Sequence, residues 1–224
     1  MSHYRVAVFH RPEQKVEDLL APYDENIEVE KYLKYTRQEA IDMARKNYDG
    51  YSEKSDDECW ECVADGYEHD EKGNIYSTYN LKSKWDWWSF SEPYIPIYNK
   101  KGESVNGGVM KDLDFPLDKD EYKAALDFWD SYVVGNDKTL SWYKPEYYID
   151  TYGTREKYAK IQAEFSTYAV ITPDGEWHAP GKVGWFGWSS ETPDEKIDWY
   201  DHYRERFIDA ADPEWVLDIV DCHI

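Results

Sequence analysis

Eleven tryptophans and 21 tyrosines in 224 residues constrain this chain more than any other feature. Side chains of that size stabilise a fold when buried, each by about 1.5–3 kcal/mol, and disordered acidic segments are poor in them. The chain therefore folds. It does so while carrying a net charge of −21, from 26 basic and 47 acidic side chains. Such an acid excess argues against direct binding of nucleic acid, because contacts to phosphates draw on Lys and Arg. A compact chain of this length buries roughly 70–75% of its unfolded surface and needs neither a disulfide nor a metal to hold it. No stretch approaches the roughly 20 apolar residues of a membrane span, and "MSHYRVAVFH" lacks the basic start and apolar run of a signal peptide. A cytoplasmic protein with no membrane partner and no cofactor is expected.

The order of elements follows from periodicity and caps. "YRVAVF" reads as a first strand, followed by a short helix over about 12–21 with Val16, Leu19 and Leu20 on one face. Thr36 and Glu39 stand at capping-box spacing, which predicts a helix over about 37–48. Residues 49–115 read as an irregular acidic and aromatic region, punctuated by Pro and Gly. Asp118 and Glu121 open a helix with Tyr122, Ala125, Leu126, Trp129, Tyr132 and Val133 in one stripe. "TREKYAKIQAEF" is a further helix, and "STYAVITPDG" a strand ending in a turn. Thr192, Pro193 and Glu195 start the last helix. "EWVLDIVDCHI" is a strand apolar on both faces, hence central in a sheet. The pattern predicts a single α+β domain over 1–224: a small mixed β-sheet with helices packed on it.

Chemistry is sparse. Cys59 and Cys62 have half-zinc or redox spacing, but no second pair follows and the flanks are acidic, which disfavours a thiolate. No metal site is expected. Asp221 and His223 share a strand face about 7 Å apart, which could orient a general base or hold a metal, with His178 a candidate third member. Structural hydrogen bonds are the preferred reading of that pair, and Cys222 points the other way. "GEWHAPGKVGWFGW" offers Trp177, Trp185 and Trp188 as a ligand loop, although core packing is the expected role of its rings. "KWDWWSFSEPY" places Trp85 and Trp87 on one strand face and Asp86 and Trp88 on the other; packing is expected there too.

The segments "YNLKSKWDWW", "YGTREKY", "TPDGEWHAPGKVGWFGW" and the terminal "VDCHI" resemble a family of uncharacterised bacteriophage-encoded proteins. Members read roughly N-P-x-S-K-W-D-W-Y-S-I-G-G-R-W in the first motif. This chain has Leu81 in place of the proline and "SFSEPY" in place of the G-G-R-W segment. The resemblance implies a phage context, a host cytoplasm and little chemistry. Combined with the charge, it gives the leading expectation: an anti-defence inhibitor that mimics nucleic acid and binds a basic groove on a nucleic-acid-handling host protein. Duplex DNA has one charge per 1.7 Å, so 21 charges correspond to about 36 Å of helix. Two stretches would carry it. Over 49–71, ten acids face one lysine, including Asp56, Asp57, Glu58, Glu61, Asp65, Glu68 and Asp70. Over 191–221, eleven acids face three basic residues, including Glu191, Asp194, Glu195, Asp198 and Asp201. The alternative is a small-molecule or nucleotide-binding protein, or a hydrolase, with a Trp/His/Asp pocket.

Overall fold

Two strands of eight residues, β1 (His3–His10) and β12 (Val216–His223), form the spine of the protein. They pair antiparallel along their whole length, His3 opposite His223 and His10 opposite Val216. The structure, a computed structural model, describes residues 2–135, 141–183 and 189–224. Among these, seven α-helices and twelve strands in three sheets make a mixed α+β chain. No helix of the described residues is long and apolar enough to cross a membrane. The chain divides into two compact units, one of Met1–Asp24 with Lys84–Ile224 and one of Glu25–Ser83. No Gly-, Ser- or Pro-rich linker marks these boundaries in the sequence.

In the larger unit the main sheet runs β11 (Trp177–His178), β10 (Ala169–Ile171), β1, β12, β5 (Trp87–Phe90), with β8 (Gly107–Val109) also on β12. Only the β1–β10 pair is parallel. Both faces of the spine are covered, as the apolar terminal strand requires. Ala7, Phe9, Val170, Leu217 and Ile219 pack with Trp199, Tyr203, Phe207 and Ile208. Those rings come from α7 (Pro193–Tyr203), capped by Thr192 and Glu195, and its π-helical continuation Arg204–Asp209. On the other face Val6, Val8, Val220 and Cys222 pack with Val16, Leu19 and Leu20 of α1 (Val16–Leu20), with Tyr23 and with Trp85. A Cβ at Gly107 would lie 2.1 Å from the Leu217 carbonyl oxygen, so glycine is what lets β8 approach β12. A third sheet, β7 (Ser104–Val105), β6 (Ile97–Asn99), β9 (Leu113–Asp114), belongs to the same unit. So does a helical cluster in which α4 (Lys119–Phe128) runs into π turns at Trp129–Val134 beside α5 (Pro145–Tyr152) and α6 (Arg155–Ala163).

The smaller unit holds β2 (Tyr32–Tyr35), β4 (Ile75–Ser77) and β3 (Glu68–His69) in one sheet. Its core joins α2 (Arg37–Asn47) to α3 (Asp56–Ala64) through Ala40, Ile41, Ala44, Cys59, Val63 and Ile75. Helix α3 corrects the reading of 49–115 as irregular. Ser55 and Glu58 form a complete capping box there, and Cys59 and Cys62 sit on its faces as free thiols, Cys59 buried.

Candidate functional site

The register of the spine assembles a polar cluster. His3 opposite His223 and Arg5 opposite Asp221 place all four side chains on the α7 face of the sheet. The Asp221 carboxylate is shared: one oxygen pairs with Arg5 Nη1, and the other lies 2.9 Å from His3 Nδ1. Arg5 is held further by donating from Nε to the Glu92 carbonyl at 3.0 Å, with its guanidinium 4.6 Å from the centre of the Tyr94 ring. Asp86 stands at 2.6 Å from His223 Nδ1. The His3 and His223 rings meet edge to face, 5.1 Å apart. Asp221 and His223 thus come together on one face, as the strand period requires, and each is bound to a neighbour within the chain.

His178 is not part of this group. It lies on β11, at the far side of the sheet from β5, opposite Val170. Its Nε2 is 3.1 Å from Thr172 Oγ1 and its ring 5.5 Å from Phe207. Trp177 is partly buried against Tyr23 and Tyr4, with ring centres 5.1 and 6.5 Å away. Trp185 and Trp188 lie outside the described residues. The Cys222 thiol is buried on the opposite face from His223, and burial pushes it well above the ordinary thiol range.

The acidic residues divide between the units, 49–71 in the smaller and 191–221 in the larger. Many are engaged at home. Asp56 pairs with Arg45, Asp57 with Arg37, Glu58 with Lys54 and Glu68 with Lys31. Asp198 pairs with Arg206 and Asp201 with Lys157. Glu195 completes the α7 cap, and Asp70 accepts from the backbone N–H groups of Lys72 and Asn74. Glu61, Asp65, Glu191 and Asp194 make no ion pair among the described residues.

A cleft of about 560 Å³ opens beside the His3–Arg5 end of β1. Tyr4, Tyr94, Tyr152, Tyr168 and Tyr200 line it, with Arg5, His3 and Lys196 as its basic groups and Glu121 and Glu164 as its acids. Burial raises the Tyr168 phenol to about 12, and burial likewise raises Tyr4, Tyr152 and Tyr200. At neutral pH these tyrosines therefore carry an O–H as well as a ring face. Lys196, on the first turns of α7, is half-buried and has no ion-pair partner among the described residues. Sequence patterning missed this site because its lining comes from β1, α4, α5, α6, α7 and two loops. The spacing of Tyr4, Tyr152, Tyr168 and Tyr200 encodes no common face. The chain matches no protein-family model, no curated protein and no solved structure.

Proposed function

We propose that the tyrosine-lined cleft of the larger unit binds a small molecule with an anionic group on an aromatic or sugar-like body, as a nucleotide has. One observation carries this reading. In a chain with 47 acids to 26 bases, half-buried Lys196 lines this aromatic cleft with no ion-pair partner among the described residues. An ammonium group so placed can receive an incoming phosphate or carboxylate in a charge-assisted hydrogen bond. The rings supply stacking faces, and the neutral phenols of Tyr152 and Tyr200 supply donors, those of Tyr4 and Tyr168 being bonded to the Lys84 carbonyl and Ser189 Oγ.

Thermal shift against nucleoside phosphates and sugar phosphates tests the proposal. A ligand at 100 times its dissociation constant stabilises by about 2.7 kcal/mol, which is about 5–10 °C for a chain of this size. Lys196→Met should abolish most of that shift while leaving the ligand-free melting temperature within about 2 °C. A flat response across the library, or full retention of the shift in Lys196→Met, would refute it.

A protein partner with a basic groove is the second reading, favoured by the net charge of −21, which internal ion pairs do not alter. A phage-encoded inhibitor of a nucleic-acid-handling host protein would use it. Recovery of such proteins from host lysate at low salt, and their loss at high salt, is the expected result.

A further inference from the structure

The smaller unit has a cleft of its own, about 410 Å³, between the chain at 25–31 and the β3–β4 hairpin. Its lining combines the tyrosines Tyr67, Tyr76 and Tyr79 with the carboxylates Glu25, Glu28 and Glu68. Rings and carboxylates together are what an organic cation requires: the ring face attracts the charge and the carboxylate pairs with it. The chain's own Lys31 already uses the cleft in this way. Lys31 Nζ bonds Glu68 at 2.7 Å and lies 5.3 Å from the centre of the Tyr76 ring. Lys34, outside the lining, donates to the Tyr67 hydroxyl, with its Nζ 3.9 Å from the centre of that ring. Two carboxylates and one ring are left over. Among the described residues Glu25 and Glu28 have no ion-pair partner, and Tyr79, 49% exposed, has no cation on its face. Ile27 and Tyr79, both exposed, border the opening and offer apolar surface to whatever flanks the charge.

We infer that this cleft binds a lysine or arginine side chain presented by a basic protein segment, pairing it with Glu25 and Glu28 over the Tyr79 ring. Exposed apolar surface at the rim favours a peptide over a free cation, since a peptide brings backbone and neighbouring side chains to cover it. Only the sign of the partner's charge is shared with the second reading above. A single-lysine peptide that fails to bind leaves the lysate experiment standing, and an empty lysate experiment leaves peptide binding standing.

The probe is the peptide Gly-Gly-Lys-Gly-Gly, titrated into the full chain and followed by NMR, beside its acetyl-lysine counterpart and cadaverine. The lysine peptide is expected to bind and the acetylated one to bind at least tenfold more weakly. Glu25→Gln with Glu28→Gln should weaken binding about tenfold, and Tyr79→Leu about two- to fivefold, while Tyr79→Phe retains it. Lys31→Met should act in the opposite direction and tighten binding, because it frees Glu68 and the Tyr76 face. A dissociation constant unchanged within twofold in both the Glu25/Glu28 and Lys31 variants overturns the inference. Equal binding of the acetylated peptide does the same. Cadaverine binding as tightly as the peptide would replace the protein segment with a free diamine.

Discussion

Arg5 and Asp221 show how the polar end of the sheet is held. Their side chains are 18% and 16% exposed, and each is the other's principal countercharge. Replacing Asp221 with Ala would leave the guanidinium largely buried with only a carbonyl and a ring for company. Removing one partner of a buried pair costs about 3–5 kcal/mol, and partial exposure places this pair near the lower end, at about 3 kcal/mol. Urea unfolding checks that figure, and a loss under about 0.5 kcal/mol would show that the pair is solvated. His3 also loses its Nδ1 partner in this variant, so the mouth of the tyrosine cleft loosens with it. Lys196→Met, in contrast, removes a charge with no ion-pair partner among the described residues, which is why its effect is expected on ligand and not on stability.

At the scale of elements, α3 repays the closest inspection. Ser55 accepts from the Glu58 N–H while Glu58 accepts from the Ser55 N–H, so the helix start is closed from both sides. Ser55→Ala should cost about 1 kcal/mol. The Glu58 carboxyl is lowered from 4.5 to about 2 by Lys54 first and then by Ser55. A depressed carboxyl stabilises the fold above its unfolded value and loses that contribution as pH falls through the folded one. The cap should therefore hold at pH 5 and fray between about pH 4.5 and 2, read from the Glu58 carboxyl and α3 amide signals. Glu58→Gln should remove that pH dependence, and fraying in the variant over the same range would contradict the assignment.

Much of the rest was legible beforehand. Thr36 with Glu39, Asp118, and Thr192 with Glu195 cap the helices they announce, because a cap is a local bond written within four residues. The central place of "WVLDIVDCHI" was legible because a strand buried on both faces must be apolar throughout. Helix α3 was hidden by its acids: Asp56, Asp57 and Glu58 read as a solvated loop, although acids favour a helix's first turn. Helix α5 was hidden because "PEYYIDTY" has too few apolar side chains to show a stripe. The face shared by Asp221 and His223 was legible from the strand period. Their partners His3 and Arg5 were not, because register across 218 residues is set by the whole sheet.

For the molecule as a whole, the net charge of −21 draws on acids in both units, many of them paired within their own unit. The two clefts have opposite chemistry. The cleft of the larger unit is lined by three basic side chains, five tyrosines and two carboxylates, and that of the smaller unit by three carboxylates, three tyrosines and Lys31. Anionic small molecules therefore belong to the first and basic side chains to the second. The most direct measurement is NMR of the full chain with ¹³C-labelled tyrosine, recorded as adenosine monophosphate is added to the wild type and to Lys196→Met. The expected result is a saturable shift of the Tyr152, Tyr168 and Tyr200 ring signals, lost in Lys196→Met, with Tyr67, Tyr76 and Tyr79 unmoved. Shifts confined to the smaller unit, or the same shifts in Lys196→Met, would contradict the anion-binding cleft.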